Sequence, residues 1–249
     1  TVFKDCANDD PCRALDPHPL EDLTALFARV RDNPRTSEIT NPVSGESQDM
    51  LVSADILAVA LRFLSYSSES QAMIPLLVHE ALESDDLSRL ASQAILVMSG
   101  LNEMLAKGME LSVMCSEDYP FMDFSVDYSD KLMGNLLMEI IGLQCKIWPH
   151  KAVGHEFHQP VVSDVPVLLM SGERDPVTPP HYASQTAENY SNSLNLVARG
   201  QAHSVMKNVC LREITTAFIN QGSVDDLDIA CVENIQPSPF FTSLLGPNP

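Results

Sequence analysis

The sequence predicts an α/β fold, because two short apolar segments are separated by one polar segment of helix length. Residues 166–171 (PVLLMS) and 194–198 (LNLVA) are apolar runs of the kind that forms strands buried on both faces of a parallel sheet. Residues 181–190 between them are polar and rich in alanine. The order strand, helix, strand predicts a parallel pair joined by one crossover helix.

Each predicted strand is followed by a loop with one polar residue suited to acid–base catalysis. Asp175 follows the first strand, and His203 follows the second, 28 residues later. In open parallel sheets the catalytic and ligand-binding side chains lie beyond the carboxyl ends of the strands, so both side chains are expected at the same edge of the sheet. An aspartate that orients a histidine is the acid–base part of a Ser-His-Asp triad. We therefore predict that Asp175 and His203 are catalytic and in contact.

Residues 166–180 (PVLLMSGERDPVTPP) and 200–204 (GQAHS) resemble the C-terminal part of the α/β-hydrolase fold. Within that fold the chain most resembles the tripeptidyl aminopeptidase and proline iminopeptidase group of serine peptidases. The likeness extends to residues 113–120 (VMCSEDYP), to 145–148 (CKIW) and, more loosely, to the segment with Cys6 and Cys12. The resemblance implies a serine exopeptidase that acts on peptide N-termini. No cofactor is expected.

The serine nucleophile that the resemblance implies is not found in the sequence. In α/β-hydrolases it lies in a Gly-x-Ser-x-Gly turn, and no such pentapeptide occurs in the 249 residues. The nearest segment, residues 44–48 (SGESQ), lacks the second glycine, so Ser47 is expected to be a polar turn residue. Glycine is also scarce. It makes up 10 of the 249 residues, or about 4%, against a usual level of about 7%.

The chain is therefore expected to be the cap and the C-terminal core of a serine hydrolase. The N-terminal strands, the oxyanion loop and the nucleophile elbow are expected in an N-terminal half outside this chain. That half is an expected partner, together with a peptide or ester substrate. Alone, the chain is expected to be inactive.

Residues 1–108 are predicted to form the helical cap. A third helix is expected to begin at Pro75, and polar residues 36–48 predict a loop or a short hairpin. Apolar residues at helical spacing predict the other helices over 20–30, 53–64 and 87–107.

Residues 109–249 are predicted to form the C-terminal part of the core, with a further strand at 110–115 (ELSVMC). Glu117 and Asp118 follow this strand, so their carboxylates are expected near the same pocket as the catalytic pair. A partly desolvated carboxylate pairs well with the ammonium group of a peptide N-terminus. Glu117 is the first candidate for this substrate-binding role and Asp118 the second. The alternative is that both cap the next helix or bond backbone amides.

The net charge of −19, from 34 acidic and 15 basic residues, excludes nucleic acid and anionic lipid surfaces as partners. The charge is either a solvated surface or a field that attracts cationic peptide N-termini. No apolar run approaches the roughly 20 residues of a membrane span. A metal site is not expected, because no Cys-x-x-Cys pair with matching histidines occurs, and His155 and His158 are interpreted as loop residues.

Six cysteines allow about 15 full pairings. Cys6 and Cys12 flank a short loop, and Cys210 and Cys231 bracket a helix and turn. Cys115 and Cys145 then pair with each other, as they do in the family pattern. Three disulfides predict an oxidising compartment, either secreted or periplasmic. The alternative is six reduced, buried thiols in a cytosolic protein.

Two other functional classes fit the same pattern. A carboxylic-ester hydrolase, such as an esterase or lipase, uses the same triad and the same fold. A non-catalytic relative would keep the framework and also lack a nucleophile.

Overall fold

The computed structural model describes the backbone of residues 1–247 and the side chains of residues 1–96 and 105–247. Its helices are α1 (Val2–Asn8), α2 (Asp10–Leu15), α3 (Pro19–Asp32), α4 (Ala54–Leu64), α5 (Ser68–Glu83), α6 (Ser88–Met104), α7 (Lys107–Val113), α8 (Leu136–Ile147), α9 (Pro180–Ala187) and α10 (Val209–Gln221). Its strands are β1 (Arg35–Thr40), β2 (Ser47–Val52), β3 (Val167–Gly172) and β4 (Ser193–Ala198). None of the described helices combines the length and the apolar character that a membrane crossing requires.

The chain forms two compact units, each assembled from separate stretches. Unit 1 contains Thr1–Ala25, Arg62–Asp85 and Pro160–Pro249, and unit 2 contains Leu26–Leu61 and Asp86–Gln159. The predicted division at residue 108 does not coincide with these units, because the first helices and α5 pack in the same unit as β3 and β4. The roles of cap and core stay predictions.

Strands β3 and β4 of unit 1 form a parallel pair. Their register runs from Val167 opposite Ser193 to Gly172 opposite Ala198, and α9 is the crossover between them. Pro180 is at the start of α9, a position that tolerates its missing N–H group. The predicted strand, helix and strand are therefore all present, with ends that differ by a few residues.

The core beside these strands is formed by β4 and α10. Leu196 and Ala198 of β4 are buried with Leu211 and Ile214 of α10. The side chain of Asn208 caps α10 by accepting a hydrogen bond from the amide of Cys210 at 3.0 Å. Burial of each large aliphatic side chain contributes about 1.5–3 kcal/mol to folding stability. The packing of the apolar face of α10 against β4 therefore stabilises the sheet.

Helix α5 begins earlier than predicted. It spans Ser68–Glu83 and contains Pro75 inside the helix, where the sequence predicts the helix start. Ser67 caps the helix, because its side chain accepts a hydrogen bond from the amide of Ser70 at 3.4 Å. Ile74 and Leu76 are buried on either side of the proline, so packing outweighs the loss of one helical hydrogen bond.

Unit 2 contains a two-stranded antiparallel sheet, which corresponds to the short hairpin that was one of two alternatives predicted for residues 36–48. Strands β1 and β2 pair from Arg35 opposite Val52 to Thr40 opposite Ser47, so the polar segment forms a hairpin. Gly45 has a φ of +73° in the connecting turn, a conformation that glycine adopts at no steric cost.

The predicted strand at residues 110–115 is wrong. Residues Lys107–Val113 form α7, and Met114–Asp118 continue as a π-helix. Leu111, Met114 and Cys115 recur at helical spacing, and they pack with Ile141 and Cys145 of α8. This contact with a neighbouring helix selects helix over strand.

Three disulfides join Cys6 to Cys12, Cys115 to Cys145, and Cys210 to Cys231. This is the pairing expected from the sequence, and it leaves no free cysteine. The first and third bonds lie in unit 1, and the second lies in unit 2.

Replacing both Cys210 and Cys231 by serine is expected to lower the free energy of unfolding by about 3 kcal/mol, because the bond closes a loop in the unfolded chain. The loop closed by Cys6 and Cys12 is shorter, so the matched double serine variant is expected to lose about 2 kcal/mol. Urea unfolding followed by circular dichroism measures both values. A larger loss at the shorter loop would contradict the loop-closure explanation.

Candidate active site

Asp175 lies in the turn that follows β3. The strand ends at Gly172, and the amide of Asp175 donates a hydrogen bond back to the carbonyl of Gly172 at 3.1 Å. The side chain of Asp175 is only 3% exposed. A buried carboxylate requires hydrogen-bond donors, and the surrounding loop supplies them.

The carboxylate of Asp175 accepts hydrogen bonds from three groups of its own loop. Oδ1 accepts from the amides of Val177 and Thr178 at 2.8 and 2.9 Å, and Oδ2 accepts from the hydroxyl of Thr178 at 2.9 Å. Burial raises the pKa of Asp175, but the two backbone amides, His203 and the Thr178 hydroxyl together lower it below its ordinary value. Asp175 is therefore held as a charged acceptor.

His203 lies in the loop after β4, and its ring contacts Asp175 as predicted. Its Nδ1 is 2.9 Å from Oδ2 and 3.1 Å from Oδ1 of Asp175. The ring also packs against Tyr66 in an edge-to-face arrangement, with 5.5 Å between ring centroids. The His203 side chain is 37% exposed, and Nε2 makes no hydrogen bond within the part of the chain that the structure describes.

The loops after β3 and β4 approach each other closely at two glycines. A Cβ on Gly172 would lie 2.1 Å from the carbonyl oxygen of Ala202, so only glycine fits there without a shift of the backbone. Gly200 has a φ of +63°, and its amide donates to the carboxylate of Glu173 at 2.7 Å. The amide of Arg174 donates to the carbonyl of Gln201 at 2.9 Å. These contacts determine the separation of Asp175 from His203.

Helix α5 supports both loops through side chains that the sequence analysis did not identify. The buried amide of Gln71 donates to the carbonyl of Arg174 at 2.9 Å, and the hydroxyl of Ser68 accepts from the amide of Ala202 at 3.0 Å. The guanidinium of Arg174 contacts the carboxylate of Asp5 at 2.8 Å. Each partner lies more than a hundred residues from the loop that it holds, so no local pattern could reveal it.

The Thr178 contact could have been found from the sequence. Aspartate side chains commonly accept hydrogen bonds from amides two and three residues later, and Asp175, Val177 and Thr178 have that spacing. Tyr66 follows α4 in a turn, and no comparable sequence pattern predicts its contact with His203.

The arrangement of Asp175 and His203 favours one tautomer of the imidazole. A charged carboxylate on Nδ1 keeps the ring proton there, so the neutral ring presents an unprotonated Nε2. That nitrogen can accept a proton from a nucleophile, and Asp175 stabilises the resulting imidazolium. The pair can therefore act as a general base and then as a general acid.

The other predicted site residues lie in unit 2. Glu117 is half-buried and Asp118 is exposed, and both belong to the π-helix rather than to a loop after a strand. The carbonyl of Glu117 accepts a hydrogen bond from Nε2 of His158 at 2.9 Å. The predicted strand that placed these carboxylates beside Asp175 and His203 is wrong, so their substrate-binding role stays a prediction.

Ser47 is the first residue of β2 and is exposed. Its hydroxyl lies 3.4 Å from the hydroxyl of Thr40 on the paired strand. It is a polar strand residue at the end of the hairpin rather than a residue of the turn itself.

The lowered pKa of Asp175 predicts a specific loss of stability in acid. Its contribution is fully present above the unfolded-state pKa of about 3.9, and it is lost as the pH falls through the lower folded pKa. The difference in unfolding free energy between the wild type and Asp175→Asn is therefore expected to shrink as the pH falls below about 4. Urea unfolding in a pH series measures this difference. A difference that stayed constant through the acid range would contradict the assignment.

Residues 130–231, less than half of the chain, match the α/β-hydrolase family model described as TAP-like protein. This match supports an α/β-hydrolase C-terminal region. The matched segment contains both Asp175 and His203. No curated protein and no solved structure matches the chain.

Proposed function

We propose that this chain is the C-terminal part of a serine exopeptidase that releases short peptides or single residues from peptide N-termini. The observation that carries the proposal is the hydrogen bond of 2.9 Å between Nδ1 of His203 and the buried carboxylate of Asp175. The two residues follow neighbouring parallel strands in the chain order of α/β-hydrolase triads. The family match over residues 130–231 supports a hydrolase of that fold.

The proposed reaction is acyl transfer to water. Nε2 of His203 removes the proton of a serine hydroxyl, and the serine oxygen attacks the scissile carbonyl carbon. The imidazolium then donates this proton to the leaving amine, which gives an acyl-enzyme. Water then loses a proton to His203 as its oxygen attacks the acyl carbon. The ester bond to the serine breaks, the imidazolium returns the proton to the serine oxygen, and the acid is released. Asp175 keeps the ring in the required tautomer throughout.

The nucleophile and the oxyanion donors are proposed to come from a segment outside this chain. The support is the absence of a Gly-x-Ser-x-Gly pentapeptide from the sequence. We expect the purified 249-residue chain to show no turnover of peptide or ester substrates. Hydrolysis by a preparation that mass spectrometry shows to contain this chain alone would contradict the proposal.

Exopeptidase specificity requires a group that pairs with the substrate ammonium. Glu117 is proposed for this role, with Asp118 as the second candidate. The net charge of −19 also favours cationic substrates over anionic ones.

The substrate class is tested on the full-length protein with matched leaving groups. An aminoacyl anilide with a free α-amino group is compared with its N-acetylated form and with an acyl ester. The proposal predicts that kcat/KM falls by at least about tenfold on acetylation, because the acetyl group removes the positive charge. Equal rates on the free and the acetylated anilide, with faster ester hydrolysis, would assign the protein to the ester hydrolases instead.

A secreted or periplasmic location is proposed from the disulfides. Three bonds in one chain are typical of proteins that mature in an oxidising compartment. Mass spectrometry of the native protein under alkylating conditions would detect three bonds if the proposal is correct and six alkylated thiols if it is wrong.

A further inference from the structure

A second polar cluster in unit 1 contains Asp16, Asp22 and His79. Asp16 lies between α2 and α3, Asp22 lies in the first turn of α3, and His79 lies in α5. One oxygen of each carboxylate and one ring nitrogen of the histidine all lie within 4.8 Å of one another. Nδ1 of His79 is 3.0 Å from Oδ2 of Asp22 and 4.0 Å from Oδ2 of Asp16. The fold thus gathers two oxygen ligands and one nitrogen ligand from three segments.

An ordinary hydrogen bond explains two of these residues but not the third. Asp22 and His79 are at hydrogen-bond distance. The Asp16 side chain is only 3% exposed, and its Oδ1 accepts a hydrogen bond from the amide of His18 at 2.9 Å. Its Oδ2 is buried and has no hydrogen-bond partner among the described residues. The 4.0 Å to Nδ1 of His79 is too long for a hydrogen bond.

A buried carboxylate oxygen without a partner is costly. Charged groups in protein interiors are paired, hydrogen-bonded or coordinated to a metal. Two neighbouring carboxylates increase the cost, because their like charges repel. A cation among the three groups would satisfy Oδ2 of Asp16 and offset this repulsion.

We infer that Asp16, Asp22 and His79 form a binding site for one divalent transition-metal ion, of which Zn²⁺ fits the ligand set best. Zinc binds imidazole nitrogen and carboxylate oxygen at about 2.0–2.2 Å in tetrahedral geometry, which separates two ligand atoms by about 3.4 Å. The observed 3.0 and 4.0 Å lie on either side of that value. Because all three ligand atoms lie within 4.8 Å of one another, movements of about 1 Å by each side chain would complete a tetrahedral site.

The chemistry of the ligands discriminates among cations. Ca²⁺ prefers six to eight oxygen ligands and Mg²⁺ keeps a shell of oxygens, whereas imidazole is a typical ligand of zinc. All six cysteines are in disulfides, so no thiolate competes for the ion. The side chains of His79 and Asp22 are 24% and 22% exposed, which leaves a path for the ion and room for water as a further ligand.

The expected role of the ion is structural. It would join the segment between α2 and α3 to α5. Helix α5 also carries Gln71, which bonds the carbonyl of Arg174 beside Asp175. The ion would therefore stabilise the helix that supports the candidate active site, without contacting the substrate.

Equilibrium dialysis of the protein against Zn²⁺, with zinc measured by atomic absorption, tests the site. One equivalent is expected to bind per chain. Asp16→Asn and His79→Gln are expected to lower the affinity by about 100-fold or more, because each removes a direct ligand. His181→Gln is the control, because His181 is an exposed histidine of α9 that does not belong to the cluster. The control is expected to bind zinc as the wild type does.

A second measurement uses the wild type only, so it does not depend on whether the variants fold. Crystals grown with Zn²⁺ are expected to show an anomalous peak between Asp16, Asp22 and His79. No binding up to about millimolar zinc, unchanged affinity in folded Asp16→Asn and His79→Gln, or a peak elsewhere would overturn the inference. Because the site does not include Asp175 or His203, its failure would leave the proposed hydrolase function unaffected.

Discussion

Asp175→Asn is expected to lower kcat of the full-length protein by about 10⁴-fold, with little change in KM. The asparagine can keep the contact with His203, but its amide group is neutral and can donate a hydrogen bond to Nδ1. The ring would then carry its proton on Nε2, where it cannot accept one from the serine. Steady-state kinetics on an anilide substrate measures the loss.

Two comparisons separate this positioning role from a general loss of structure. Glu188→Gln changes an exposed carboxylate just after α9 and is expected to retain wild-type kinetics. The melting temperature of Asp175→Asn is measured beside its kcat. A folded Asp175→Asn variant with kcat within about tenfold of the wild type would show that Asp175 does not orient the catalytic base.

Gly172→Ala is expected to destabilise the protein by about 3 kcal/mol or more, which is at the upper end for overpacking. The new Cβ would lie 2.1 Å from the carbonyl oxygen of Ala202 and 2.4 Å from that of Gln201. Both atoms belong to the backbone, so the loop that carries His203 must move away from the loop that carries Asp175. The variant is therefore expected to lose activity as well as stability.

The matched control is Gly108→Ala, because among the described side chains a Cβ at Gly108 would meet the ring of Trp148 alone, at 3.6 Å, an ordinary van der Waals contact. Its free energy of unfolding is expected to stay within about 1 kcal/mol of the wild type. Thermal or urea unfolding measures both variants. Equal stability of the two would contradict the close approach of the loops at Gly172.

The parts of the fold that were predictable depend on local patterns. Strands β3 and β4 and the crossover α9 follow from apolar runs and from the polar segment between them. The contact of Asp175 with His203 follows from their places after two adjacent parallel strands. The hairpin of β1 and β2 was one of two stated alternatives for its polar segment.

The parts that were not predictable depend on contacts between distant residues. Residues 110–115 have apolar positions that fit a short strand, but Leu111 and Cys115 also have helical spacing, and packing against α8 decides between them. Pro75 looked like a helix start, while the cap at Ser67 lies eight residues earlier. The cluster of Asp16, Asp22 and His79 follows no metal motif, because α3 and α5 bring together residues that are 57 apart in the chain.

The central claim is that His203 is the base that activates a serine. It is tested most directly by comparing how fast a fluorophosphonate, which reacts with activated serines, labels the full-length wild type and His203→Ala. The account predicts that the wild type is labelled on a serine outside residues 1–249 and that His203→Ala, though folded, is labelled at least about 10³-fold more slowly. Labelling of folded His203→Ala at the wild-type rate would show that this histidine is not the base, and the proposed function would be wrong.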